Sequence, residues 1–399
     1  MNYDRFLNPA IVAVPPSGIR RFFDLASTMK DAISLGVGEP DFKTPYHIRD
    51  AAINSLVDGE TQYTANRGLP ELREEISAYL AGRFSLRYRP GDQVLVTIGA
   101  SEAIDLALRA MLSPGDEVLI PDPSYVSYAP GVIFAGGVPV CVPTDEAHDF
   151  RLLPEHLLPR ITPRTKLLIL PYPNNPTGGI MEKADLEALA PVIAEHDLMV
   201  LSDEIYAELV YDGRKHVSIA SLEGMAERTV VINGFSKAFA MTGWRVGYIC
   251  GAPELIGIMN KIHQYTIMCA PRQGQVAALE ALRTGRENDY EDIAVMRDSY
   301  DRRRRLMVSS FRGMGLHCFE PYGAFYVFPS IASTGLSSED FCSLLLREKK
   351  VAAVPGNAFG PSGEGFIRCS YATALDKLNI ALERIAELIG EIARKEVSP

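Results

Sequence analysis

Short apolar runs, separated by amphipathic stretches and turn residues, recur along the chain. Runs at Gln93–Ile98, Glu117–Ile120, Lys166–Leu170, Leu198–Ser202, Thr229–Ile232 and Val246–Cys250 read as buried strands. Each lies near turn chemistry such as Ser113-Pro-Gly-Asp or Pro171-Tyr-Pro-Asn-Asn-Pro. Helical periodicity fills the gaps, for example over Ser101–Met111, Lys183–His196 and Pro253–Tyr265. Strands alternating with helices predict an α/β protein with a largely parallel sheet. After about Leu282 the texture changes. A long charged helix is expected over 287–314, then strands at Ala324–Phe328, Val351–Val354 and Phe366–Ser370, then a terminal helix from about Ala374. This pattern suggests a smaller α+β domain. The expected division is an N-terminal arm (1–46) packing with the C-terminal part, a large domain (47–282) and a small domain (283–399).

Composition narrows the function classes. A chain of 399 residues suffices for two or three domains with a substantial core. The net charge of -10 argues against a nucleic-acid surface. The densest basic run, Arg302–Arg305, reads as a solvated helix face. Six cysteines and seven histidines are scattered without zinc or redox spacing, so neither a metal nor a disulfide framework is expected. The N-terminal segment lacks a secretory pattern, and no apolar run approaches the ~20 residues of a membrane helix. A cytoplasmic protein away from membranes is the expectation.

Five separated segments carry candidate chemistry. In Asn233-Gly-Phe-Ser-Lys237-Ala-Phe-Ala-Met-Thr-Gly-Trp-Arg245, a lysine follows a buried strand among small, aromatic and apolar neighbours. Desolvation or a nearby cation lowers a lysine's pKa and makes it a nucleophile, and Arg245 suits a phosphate. Asp203 ends a strand in Leu201-Ser-Asp-Glu-Ile-Tyr206, as a cap, an ion-pair partner or a functional acid; strand alternation points its rival Glu204 to the other face. Asn174-Asn175-Pro176-Thr-Gly178 makes a turn that places an amide at the carboxyl edge of the sheet. Thr97-Ile-Gly99-Ala100-Ser101-Glu102 runs from a strand into a helix N-terminus, either Ser-capped or a phosphate site. Arg368, in Phe366-Ile-Arg-Cys-Ser-Tyr371, sits in a strand that otherwise reads as buried. It requires either an internal salt bridge or an anionic ligand.

Together with Gly36-Val-Gly38-Glu-Pro-Asp-Phe, these segments resemble, in order and over nearly the whole chain, the class-I aminotransferases of the aspartate/aromatic branch. These are fold-type-I pyridoxal-phosphate enzymes. The resemblance implies a large domain with a mostly parallel seven-stranded sheet between helices, plus a smaller α+β domain. It implies that Lys237 carries pyridoxal 5'-phosphate as a Schiff base and moves the substrate proton. Asp203 would face the ring nitrogen, Tyr206 and Asn175 the ring oxygen, and Tyr125 would stack on the ring, while Tyr128 reads as core. Ala100, Ser101 and Arg245 would hold the phosphate. Gly38, Asn175 and Arg368 would bind the substrate carboxylate. Tyr63 would reach the phosphate of a neighbouring subunit, implying a homodimer with shared sites. The serine that some members carry three positions before the lysine is Gly234 here, which leaves Ser236 as a candidate hydroxyl.

Amino-acid and 2-oxo-acid substrates such as 2-oxoglutarate follow, in a ping-pong transamination. Ser101 stands where some prokaryotic aspartate enzymes carry a lysine, and the entry loop Pro16-Ser-Gly-Ile19 offers an apolar Ile19. Both tilt the expectation towards aromatic or broad apolar donors, with aspartate retained. The alternatives are a β-lyase on the same scaffold, an aminotransferase for an N-acyl diamino acid, and a non-catalytic regulatory module. Fold alone does not choose among them.

Overall fold

Seven strands build the main sheet: β1 (Val94–Thr97), β2 (Glu117–Asp122), β3 (Val138–Pro143), β4 (Thr165–Leu170), β5 (Met199–Asp203), β6 (Thr229–Gly234) and β7 (Gly247–Cys250). The structure is a computed structural model that describes residues 1, 3–16, 18, 29 and 31–397. The strand order is β1-β7-β6-β5-β4-β2-β3. Only β7 runs against its neighbours; the other six strands are parallel. Alternation decides which way each apolar side chain points. Leu95, Val118, Ile169, Leu201, Ile232 and Ile249 pack on one face, beneath the helices Gly99–Met111 and Pro253–Thr266. Val94, Val96, Val231 and Tyr248 pack on the other, against Tyr46–Val57, Pro70–Phe84 and Arg272–Glu287. Both faces are covered, which is why the strands read as continuous apolar runs.

The edge strand β3 is absent from the sequence expectation. Three of its six residues are exposed and only Val142 is buried, and Pro139 and Pro143 interrupt it, as suits an edge. The helix expected over 287–314 begins later, at Glu291, and runs to Gly313; Glu287 is the last residue of the preceding helix, Arg272–Glu287. Asp289 and Tyr290 between them adopt left-handed backbone, with φ of 56° and 58°, which no α-helix accommodates. Likewise the expected Val351–Val354 strand splits. Val351–Ala352 pairs in parallel with Ile33–Ser34, whereas Val354–Pro355 joins Ile367–Ser370 and Tyr326–Val327 in an antiparallel three-stranded sheet. A second core assembles around these short strands and includes Leu35, Tyr300, Phe325, Tyr326 and Phe341. Tyr206 and Leu209, just beyond β5, enter that same core and tie it to the main sheet.

Arg302–Arg305 is not a solvated face. At 3.6 residues per turn, four consecutive side chains spread around the helix, and one must face inward. That one is Arg304, which is 1% exposed and pairs with Asp212 and Asp301 at 2.7 Å and with Glu320. Arg303 pairs with Asp41 at 2.8 Å. No described helix is long and apolar enough to cross a membrane.

Candidate active site

The carboxyl ends of the parallel strands converge on one cavity of about 820 Å³. β1 delivers Ala100 and Ser101, the segment after β2 brings Tyr125, and the turn after β4 brings Asn175. Asp203 and Tyr206 follow from β5, and the loop joining β6 to β7 supplies Ser236, Lys237 and Arg245. Gly38, Tyr326 and Arg368 close the opposite wall. Residues more than 300 positions apart in the chain therefore share one chamber at the sheet edge where α/β proteins bind ligands.

Lys237 is half-buried, and its Nζ donates to the Gly38 carbonyl at 2.6 Å. The ammonium lies 5.7 Å from the Tyr206 ring and 5.6 Å from Phe325. Burial lowers its pKa to about 8; Arg368 and Arg245 push the same way, and Glu39 and Asp203 oppose them. Near neutrality such an amine is deprotonated far more often than an ordinary lysine, as a nucleophile or base requires.

Asp203 is 6% exposed and has no cationic side chain in ion-pair contact among the described residues. Its Oδ2 accepts from the Tyr128 hydroxyl at 2.7 Å, and its Oδ1 accepts from the Ile205 N–H at 3.2 Å. Burial raises its pKa, while these two bonds favour the anion. Tyr128 is thus more than core: it is 3% exposed, yet it lines the cavity and holds the acid. Its ring meets Tyr125 edge-on at 5.6 Å. Burial keeps the Tyr206 phenol protonated, 2.9 Å from the Tyr326 hydroxyl. Tyr326 carries no motif, and in the sequence it looks like any aromatic in a buried strand.

The helix Gly99–Met111 starts without a side-chain cap, because its N-cap position is Ile98 and not a serine. Gly99 has a φ of 70°, and a Cβ there would lie 2.8 Å from Arg245 Nη2, so the guanidinium sits directly against this turn. A cation and a helix N-terminus together form an anion site. Gly234 tolerates no serine: a Cβ would meet Gly247 Cα at 2.9 Å across the β6–β7 pair. Ser236, buried and lining the cavity, is the nearby hydroxyl.

Arg368 is 2% exposed and has no carboxylate partner among the described residues. Its Nη1 donates to Asn175 Oδ1 at 2.8 Å, and its Nη2 to the Gly36 carbonyl. The Tyr326 and Phe359 rings flank it at 4.4 and 4.8 Å. Its Nε has no acceptor. A buried, uncompensated guanidinium opening on a cavity is a receptor for an anion. Gly38 is needed beside it, since a Cβ there would lie 2.8 Å from the Tyr326 hydroxyl.

Tyr63 is not in this cavity; it stands 77% exposed on the surface. Glu204 points to the opposite side of the sheet, fully buried, accepting from Ser202 and lying 2.9 Å from His216. Asn174 is buried within its own turn, bonded to the Pro123 carbonyl and the Thr177 N–H at 3.5 Å each. Ile19 lies outside the described residues. Away from the cavity, Asp145, His148 and His156 cluster closely enough to suggest a metal site. His156 Nδ1, however, accepts from the Leu153 N–H at 3.3 Å, which leaves the proton on the nitrogen facing Asp145.

The donor set fits pyridoxal phosphate: an amine of lowered pKa, a buried carboxylate without a cation, and a basic helix N-terminus. Comparison with known proteins agrees. Residues 30–385 match the family of class I and II aminotransferases. The chain is 50% identical over 378 residues to an aspartate aminotransferase of Pyrococcus abyssi (strain GE5 / Orsay), covering 95% of this chain and 97% of that one. It is 46% identical over 385 residues to aromatic-amino-acid aminotransferase 2 of Thermococcus litoralis, covering 96% and 98%. The crystal structure of an aromatic aminotransferase from Pyrococcus horikoshii OT3 superimposes with a TM-score of 0.88, at 47% identity, over 93% of this chain and 99% of that one.

Proposed function

The chain belongs to the class I and II aminotransferases, and on that premise we propose how its own residues divide the work. It is a pyridoxal-phosphate-dependent aminotransferase. When bound, the cofactor supplies an electron sink for a carbanion at the substrate Cα. Arg368 takes the α-carboxylate of an L-amino acid in a bidentate pair, helped by Asn175 and the backbone at Gly38. Lys237 would carry the cofactor and, once displaced by substrate, would take the Cα proton as general base and deliver it as general acid to the cofactor's C4′ carbon. Asp203, steadied by Tyr128, keeps the ring nitrogen protonated. Tyr206 and Asn175 serve the ring oxygen, and Tyr125 covers the ring. Arg245, Ala100, Ser101 and Ser236 hold the phosphate. The amino group then passes to a 2-oxo acid such as 2-oxoglutarate in the second half of a ping-pong cycle.

The observation that carries this reading is the buried guanidinium of Arg368, without a counter-charge, facing the same cavity as the lowered-pKa amine of Lys237. Aromatic or broad apolar donors are proposed, with aspartate as the competitor, in line with relatives of both names. The test is a spectral titration of the purified holoprotein with phenylalanine, tyrosine, aspartate and an N-acylated diamino acid. The bound-cofactor band is expected to disappear with release of the keto acid, fastest for phenylalanine or tyrosine. A band that no donor converts, or release of ammonia and pyruvate from a cysteine conjugate, would contradict the proposal.

We further propose the division into an arm (1–46), a large domain (47–282) and a small domain (283–399), in a homodimer. The supporting feature is an exposed apolar surface of Ile53, Leu56 and Val57 on the helix Tyr46–Val57, near Tyr63 in sequence. Tyr63 would complete the partner's phosphate site. Sedimentation should return twice the chain mass, and Tyr63→Phe should weaken cofactor binding several-fold with the dimer intact. A monomeric, fully active protein would refute this. Cytoplasmic residence is part of the same proposal, as six unpaired cysteines suit a reducing compartment.

A further inference from the structure

Arg368 owes its orientation to neighbours and not to a counter-ion, so whatever fixes those neighbours fixes the anion receptor. One flanking ring, Phe359, lies at the end of the short turn Gly356–Phe359 and is 5% exposed. The following loop is tied to the end of β2. Asp122, the last residue of β2, is 4% exposed, and its Oδ2 accepts both the Ser362 N–H at 3.1 Å and the Ser362 hydroxyl at 2.9 Å. Two residues on, the Ser124 N–H donates to the Phe359 carbonyl at 3.0 Å. The fit is close. Gly360, at φ 130°, lies so near that a Cβ would fall 1.7 Å from Asp122 Oδ1. Asp122 has no cation in ion-pair contact among the described residues, and Oδ1 has no hydrogen-bond partner. A buried carboxylate so placed does little for stability, and a positioning role accounts for it better.

We propose that Asp122 is a positioning residue for the substrate-carboxylate clamp: through Ser362 it ties the 359–362 loop to the end of β2 and holds Phe359 against the Arg368 guanidinium. This rests on the reading of Arg368 as that clamp. The segment 122–125 then serves both partners of the reaction. It presents Tyr125 towards the cofactor and anchors the wall behind the substrate carboxylate. An error of a fraction of an ångström in that wall tilts the guanidinium plane, and bidentate binding tolerates tilt poorly.

The test is steady-state kinetics on the holoenzyme with 2-oxoglutarate and the donor of highest kcat/KM, for Asp122→Ala, Asp122→Asn, Ser362→Ala and Arg368→Ala. Loss of hydrogen bonds to a charged group should raise KM for donor and acceptor together by about 3–10-fold in Asp122→Ala and Ser362→Ala. Changes in kcat and in the cofactor dissociation constant should stay within about twofold, a split that general destabilisation would not give. Asp122→Asn, which keeps an acceptor for Ser362, should fall nearer the wild type. Should Asp122→Ala fail to fold, Ser362→Ala carries the test. Unchanged KM values in Ser362→Ala, alongside raised ones in Arg368→Ala, would overturn the positioning role alone. Unchanged values in Arg368→Ala would overturn the clamp itself. Weakened cofactor binding with normal KM would also overturn the proposal, by showing that Asp122 acts through Tyr125.

Discussion

Lys237→Ala should fold, bind cofactor without covalent attachment, and lose transamination by about 10⁴-fold or more, since a positioned general base alone contributes about 10²–10⁴-fold. Borohydride, which fixes an amine-linked cofactor to the wild-type chain, should leave the variant unlabelled. Retained labelling would move the attachment site elsewhere. The amine also leaves a pH signature. Its folded-state pKa is about 8 against an ordinary 10.5, so between these values the unfolded chain holds more protons than the folded one. The cofactor-free wild type should therefore gain stability relative to Lys237→Ala as pH rises from about 8 towards 10.5. Below 8 both states are protonated, and the full burial penalty remains. Covalent uptake of the cofactor needs the neutral amine, so its rate should climb through a midpoint near 8. A midpoint near 10.5 would mean that the amine is not desolvated.

Arg368 should show the opposite faces of one feature. Removing one partner of a buried charge pair costs about 2–5 kcal/mol in binding, so Arg368→Ala should lower kcat/KM for donor and acceptor by about 30- to 5000-fold. Arg368→Lys should recover only part of this, because an ammonium cannot present the guanidinium fork. Without substrate, however, the guanidinium is a buried charge lacking a counter-charge, and burial already lowers its pKa. Arg368→Met fills a similar volume without that charge. Exchanges of buried ionic groups for apolar ones are often neutral or stabilising by about 1–4 kcal/mol, so the cofactor-free variant should melt no lower than the wild type. A large fall in melting temperature would show instead that the arginine is a structural strut.

The sheet and most of the site were legible because their signals are local. A buried strand ending in a turn announces both the element and the exposed end where chemistry sits, which is how Asp203, the Asn174–Asn175 turn and Lys237 became candidates; the choice of Asn175 over Asn174 and the role of each residue came from the family resemblance. What escaped depended on distant packing. Tyr326 matters through Tyr206, Gly38 and Arg368, none of which is near it in sequence. Tyr128 reads as core because it is buried; only its bond to Asp203 shows its second use. The strand β3 was hidden by edge exposure and prolines, and the break at Asp289–Tyr290 by helical periodicity on either side of it. Arg304 was hidden among three other arginines, because identity alone does not say which member of a run turns inward.

The crowding around Arg368 has a stereochemical consequence. Two rings, at 4.4 and 4.8 Å, together with the bonds to Asn175 and the Gly36 carbonyl, limit how the guanidinium can turn, so a bound carboxylate has a preferred plane. An amino acid anchored there, and again through its nitrogen, has two remaining substituents to place: hydrogen and side chain. Lys237 supplies a base on one side only. One enantiomer offers it the hydrogen; its mirror image must offer the side chain, and no reaction follows. With these roles, handedness would be enforced without any contact to the side chain, which would leave the far wall of the cavity free to vary in the side chains it admits.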